Sequence, residues 1–125
     1  MHVRDRVGDA DRALELIERE KVTNFVGVPT QSFDLLESPR FADTDTSSLT
    51  SVGGGGAPAP PELVKRVASS FRGGGPSIGY GMTETHGIIT ANSSRFSLAK
   101  PAPCGAVVPV MAWNLVAEDG NDIAR

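Results

Sequence analysis

One cysteine, one tryptophan and one tyrosine are all that 125 residues contain of those types. A lone cysteine, Cys104, excludes an internal disulfide and any cysteine-based metal cluster, and it suits a reducing compartment, so the cytoplasm is expected. No apolar run is long enough to cross a bilayer. The opening Met1-His2-Val3-Arg4-Asp5-Arg6 has no apolar stretch behind it of the kind a signal peptide carries. An excess of positive charge is missing too. The 12 basic residues are outnumbered by 15 acidic ones, the net charge is −3, and the basic residues are dispersed, so the footprint of a nucleic-acid binder is absent. Three signatures of other chemistries are also lacking. Gly53 to Gly56 is not followed by the Gly-Lys-Ser/Thr of a Walker loop. A dinucleotide fingerprint on Gly79 and Gly81 would need glycine at position 84, where Glu84 stands. The Gly-x-Ser-x-Gly elbow of serine hydrolases does not occur.

Glycine and proline are plentiful, at 14 and 9. Most fall in three clusters, 53–61, 73–81 and 101–109, each beside an apolar segment, which is how α/β proteins punctuate their joints. The length predicts one domain that buries roughly two-thirds of its unfolded surface. Ala10, Ala13, Leu14 and Ile17 fall at helical spacing, and Asp9 caps a helix over 10–20. Val22 to Val28 reads as a buried strand, and Thr30 as the cap of a short helix carrying Phe33, Leu35 and Leu36. Ala42 to Ser48 reads as a polar loop. A second strand, Leu49 to Val52, runs into the glycines. Pro60, Pro61 and Glu62 then suit a helical first turn, and Leu63, Val64, Val67, Ala68 and Phe71 make one apolar face. Pro76 to Tyr80 reads as a third strand ending in a Gly-Tyr-Gly turn. Ile88 to Ala91, Val107 to Met111 and Ala112 to Ala117 read as later strands, with a hairpin turn at 118–121. The order predicts an α/β fold: part of a mostly parallel sheet with flanking helices, followed by a short antiparallel annex. Both glycine clusters, 53–58 and 79–81, then lie at carboxyl ends of strands, where such sheets bind ligands.

The densest chemistry is in Gly79-Tyr80-Gly81-Met82-Thr83-Glu84-Thr85. Glycines let backbone approach a ligand, an aromatic ring stacks on a base, a hydroxyl donates to phosphate, and a carboxylate is a hard ligand for Mg²⁺. The same string also fits a strand running into a turn with Thr-Glu-Thr on the surface, and spacing alone does not decide between the two.

A strand, then Gly54-Gly55-Gly56-Ala57-Pro58 with Pro60-Pro61-Glu62-Leu63, a helix, and Gly79 to Thr85 together resemble the adenylate-forming (AMP-binding) superfamily, in particular acyl-CoA synthetases. Leu14 to Thr23, Val28-Pro29-Thr30 and the Pro101 to Gly105 segment resemble the surrounding text of fatty-acid and aryl-acid CoA ligases. The resemblance spans about residues 10–121. It implies an ATP-dependent carboxylic acid–CoA ligase with ATP, Mg²⁺ and coenzyme A as co-substrates and a fatty or aromatic acid as the small-molecule partner. It implies that Glu84 ligates Mg²⁺, that Thr83 bonds the α-phosphate, and that Tyr80 stacks on adenine. Gly79, Gly81 and Met82 would line the base, with Gly55, Gly56, Ala57 and Pro58 along its other side. Phe25, Gln31, Gly54 and His86 are candidates for the acyl pocket, although Phe25 is an equally good core residue and His86 an equally good solvated one.

The family's phosphate loop ending in Pro-Lys-Gly, its ribose-binding Thr-Gly-Asp and its lysine-bearing C-terminal domain do not appear. Residues 1–9 fit the family poorly. The expectation is an atypical start followed, over 10–125, by part of the large N-terminal domain of such a ligase, inactive on its own. Sheet edges bared in such a piece favour a homo-oligomer. The rivals are a non-catalytic remnant or interaction module, and a piece of an amino-acid adenylation domain.

Overall fold

In the computed structural model, residues 9–92 and 104–123 are described. Helix α1 (Ala10–Glu20) begins where the Asp9 carboxylate accepts from the Arg12 N–H at 3.0 Å. It ends at Lys21, whose left-handed backbone lets its N–H reach the Ile17 carbonyl. Strand β1 (Asn24–Gly27) leads into α2 (Pro29–Glu37). The cap of α2 is Val28 and not Thr30. Val28 donates its N–H to Gln31 Oε1 at 2.9 Å, and Pro29 takes the first helical position, where its missing N–H costs nothing. A short 3₁₀ turn, Phe41–Asp43, interrupts the polar loop expected around it. Strand β2 (Ser51–Gly54), helix α3 (Pro61–Ser70) and strand β3 (Gly75–Met82) complete the parallel layer.

Beyond β3 the chain turns at 83–86 and returns as β4 (Gly87–Asn92), antiparallel to it, with β5 (Ala106–Val107) paired outside. The order across the sheet is β1-β2-β3-β4-β5, so the antiparallel strands continue the parallel layer. The Gly-Tyr-Gly stretch lies inside β3 and is not a turn: Gly79, Tyr80 and Gly81 pair with Ala91, Thr90 and Ile88. The step from Thr90 to Ile88 against consecutive residues of β3 leaves Ile89 as a bulge. Of the expected later strands, Ile88 to Ala91 is found as β4, and of Val107 to Met111 only Val107 lies in a strand, Ala106–Val107. Pro109 follows at once, and 112–117 contributes a single bridge, Val116 to Asp122, closed by the turn at 118–121. Most of the Pro101 to Gly105 segment lies outside the described residues.

The helices cover one face of the sheet. Leu14, Ile17, Leu35, Leu63, Val67 and Phe71 pack on Leu49 and Val52, with Phe25 against their edge. The rings of Phe41 and Phe71 meet edge to face, with centroids 5.0 Å apart. Successive strand residues point to opposite faces. Phe25 therefore joins this core, while Val26 stands on the uncovered face, 79% exposed. Among the described residues no helix is long and apolar enough to cross a membrane.

Candidate functional site

The parallel register sets Gly53 beside Ser77 and Gly54 beside Ile78. At that level β2 ends and β3 runs on, so the glycine loop leaves its strand along the side of Gly79. The approach is close. A Cβ built on Gly55 would stand 2.6 Å from the Gly79 carbonyl oxygen. A side chain there would part the two segments, which is a packing reason for glycine independent of any turn. The two glycine clusters thus meet at the carboxyl ends of adjacent strands, as open α/β sheets arrange their ligand sites.

Between them opens a concavity of about 640 Å³, within the range of small-ligand pockets. Its walls are Gly54, Gly55 and Gly56 on one side and Gly79 to Thr83 on the other. The uncovered sheet face supplies Val26, Ser77 and Ala91. Ile88 closes one end. It pairs with Gly81 because of the bulge at Ile89, and its Cδ1 lies 2.7 Å from where a Gly79 Cβ would be. Tyr80 is 47% exposed. Among the described residues the peptide groups of Gly56 to Ala59 make no hydrogen bond, so this edge keeps backbone donors and acceptors available.

The turn after β3 divides its three polar residues between two tasks. The Thr85 hydroxyl accepts from the Met82 N–H at 3.2 Å and stands 2.9 Å from the carbonyls of both Met82 and Gly87; it holds the turn. Thr83 and Glu84 are exposed, and neither side chain has a hydrogen bond or ion pair among the described residues. A hydroxyl and a carboxylate therefore sit unengaged at the mouth of the cleft. A single carboxylate with open lone pairs fits a hard divalent cation that draws its other ligands from phosphate and water, as Mg²⁺ does. The described residues contain no cluster of three or more His, Cys, Asp or Glu able to hold a metal by itself.

The sequence-derived residues are brought together unevenly. Gly54, Gly55, Gly56, Gly79, Tyr80, Gly81, Met82 and Thr83 line the cleft, with Glu84 next in the chain. Ala57 and Pro58 continue the loop beyond it. Three acyl-pocket candidates stand elsewhere. Phe25 packs against the helical core. Gln31 is spent on the Val28 N–H. His86 is exposed in the left-handed conformation that ends the turn, with its N–H on the Thr83 carbonyl. Val26 and Ile88 occupy the cleft instead. Phe25 and Val26 differ by one residue, which in a strand is a whole face. A strand covered by helices on one side only shows alternate residues on the other, but the sequence does not say which alternate set that is.

Comparison with known proteins bears on the same elements. The family model described as "AMP-binding enzyme" matches residues 1–125. An indoleacetate–CoA ligase of Aromatoleum aromaticum is 32% identical over 116 residues, 92% of this chain and 22% of its own. The human mitochondrial medium-chain acyl-CoA ligase ACSF2 is 31% identical over 115 residues, 91% of this chain and 19% of its own. Among solved structures, the o-succinylbenzoate CoA synthetase of Bacillus subtilis, in complex with its acyl-adenylate intermediate, superposes with a TM-score of 0.79 at 27% identity, covering 94% of this chain and 23% of that one. The chain thus spans about a fifth of the length of the relatives it matches.

Proposed function

The chain belongs to the AMP-binding enzyme family, and from that premise we propose that it forms the nucleotide-facing and acid-facing part of an ATP-dependent carboxylic acid–CoA ligase. The observation that carries this is the cleft itself: two glycine-rich segments on neighbouring strand ends, with Thr83 and Glu84 unengaged at its mouth. The relatives named as CoA ligases agree in class.

In the proposed reaction an oxygen of the substrate carboxylate attacks the α-phosphorus of ATP. The bond to pyrophosphate breaks, and an acyl-adenylate forms. The sulfur of coenzyme A then attacks the acyl carbonyl, AMP leaves with the bonding pair, and a thioester results. The work of the protein is positioning and charge stabilisation. Thr83 donates its hydroxyl to the α-phosphate. Tyr80 stacks on adenine, and Gly55, Gly56, Ala57 and Pro58 run along the base's other side. Glu84 would hold Mg²⁺, which when bound neutralises charge on the phosphates. The acid lies on the open sheet face between Val26, Gly79 and Ile88, where small and apolar walls suit an aromatic ring or alkyl chain.

Residues 10–125 are proposed as part of the large N-terminal domain, and the parent enzyme is placed in the cytoplasm. The chain alone binds nucleotide without turning it over, because it carries no phosphate loop and no catalytic lysine. Titration with Mg-ATP, followed by backbone amide signals, tests the binding. Saturable shifts confined to 54–58 and 79–85 are expected. Shifts elsewhere, or none at millimolar nucleotide, refute the proposal. Pyrophosphate release by the purified chain with ATP and acid would refute the claim of inactivity.

A further inference from the structure

We propose that a single resident water molecule lies beneath the glycine loop, bound by Ser32 and bridging α2 to the peptide groups of that loop. Ser32 is 1% exposed, and its hydroxyl has no hydrogen-bond partner among the described residues. A buried hydroxyl in that condition is rare, and ordered water is the usual remedy. Serine within a helix commonly bonds back to the carbonyl four residues earlier. For Ser32 that carbonyl is Val28, which already accepts the N–H groups of Gln31 at 3.0 Å and Ser32 at 3.4 Å. Both its lone pairs are engaged, and Ser32 Oγ bonds no other carbonyl among the described residues.

The geometry offers a partner of another kind. Ser32 borders a small, partly open cavity of about 20 Å³, walled also by Gly53, Gly54, Gly55, Ala57 and Leu63. One water needs roughly 10–15 Å³ of such space together with two to four polar partners. The cavity therefore holds one water and no larger ligand. Its lining is mostly apolar, and the polar groups at hand are the Ser32 hydroxyl and the peptide groups that follow β2, whose run from Gly56 to Ala59 makes no hydrogen bond to described residues. The cavity shares Gly54, Gly55, Ser77 and Ile78 with the large cleft. The water sits on the helix side of the same backbone whose other side faces ligand, and so it sets the height of the loop above the sheet. This inference goes beyond the functional proposal and holds whatever the cleft takes.

Two measurements on the full chain test it. Water-to-amide cross-relaxation should show a long-lived water at the amides of Gly54, Gly55 or Ala57, and a high-resolution crystal structure should show density within hydrogen-bonding reach of Ser32 Oγ. Ser32→Ala should abolish the cross-peaks at those amides while leaving the rest of the spectrum in place. A dry cavity in the wild-type chain, with the hydroxyl turned onto a helix carbonyl, overturns the proposal. So does a water that persists unchanged in Ser32→Ala. If the variant does not fold, the wild-type measurements decide alone.

Discussion

Substituting Gly55 by alanine would probe the joint on which the cleft depends. The added methyl carbon would stand 2.6 Å from the Gly79 carbonyl oxygen, 0.8 Å short of the 3.4 Å at which ordinary contact begins. The obstacle is the backbone of β3, paired with Ala91 of β4, so it cannot rotate away as a side chain would. Relief has to come from displacing the loop or spreading the strand ends. Overpacking of this kind costs about 1–3 kcal/mol. With a urea slope of about 1–3 kcal/mol/M for a small protein, the midpoint should fall by roughly 1 M. Ala57→Gly, in the same loop and exposed, is the control and should cost less than about 1 kcal/mol. Equilibrium urea unfolding followed by Trp113 fluorescence and far-UV circular dichroism measures both. The amide shifts induced by Mg-ATP at 79–83 should weaken in Gly55→Ala. A Gly55→Ala midpoint equal to wild type, at unchanged slope, would refute the contact between the two segments.

Leu35→Ala, at a 1% exposed position in the core, should cost about 2–5 kcal/mol by the same unfolding assay; a cost below about 1 kcal/mol would contradict the packing described. Tyr80→Ala should weaken nucleotide binding about tenfold, the lower part of the range for loss of a base–aromatic stack, and equal affinity in calorimetry would remove the stacking role. Glu84→Gln should make nucleotide affinity insensitive to Mg²⁺ while leaving the stability within about 0.5 kcal/mol of wild type; retained Mg²⁺ dependence would count against that carboxylate as the ligand. Asp45 is held well below the usual carboxylate range by the Ser47 hydroxyl, the Lys21 ammonium 2.9 Å away and the Ser47 N–H. A depressed folded-state pKa adds stability above the unfolded value, 3.8, and the benefit fades as pH falls below it. The advantage of wild type over Asp45→Asn should therefore be present at pH 7 and shrink steadily under acid, and an advantage independent of pH would contradict the assignment.

The helices were the most legible elements because their signals are local. The Asp9 cap, the Pro61 start and the apolar stripe of Leu63, Val64 and Val67 each act within a turn or two of chain. The cap of α2 was misplaced because Val28 has no capping side chain and Gln31 reaches back from inside the helix instead. Strands depend on partners that no local pattern names. The glycines of β3 suggested a turn at 79–81, but the antiparallel ladder with β4 holds that backbone extended. Residues 112–117 have the composition of a strand, yet among the described residues they find only the bridge at Val116. The meeting of the two glycine clusters was legible, since consecutive parallel strands bring their carboxyl ends side by side. The choice between Phe25 and Val26 was not, because it requires knowing which sheet face the helices take.

The bulge at Ile89 has an evolutionary corollary. Positions 88 and 89 carry the same side chain, so the identity of the isoleucine overhanging the cleft is decided by spacing alone. Exchanging one residue type for another at 89 leaves that spacing intact. Losing or gaining a single codon between Thr83 and Thr90 does not, because it changes either the length of the turn that presents Thr83 and Glu84 or the pairing that aims Ile88. Lineages derived from this chain should accordingly vary in residue type at 89 and hold the residue count from 83 to 90 fixed.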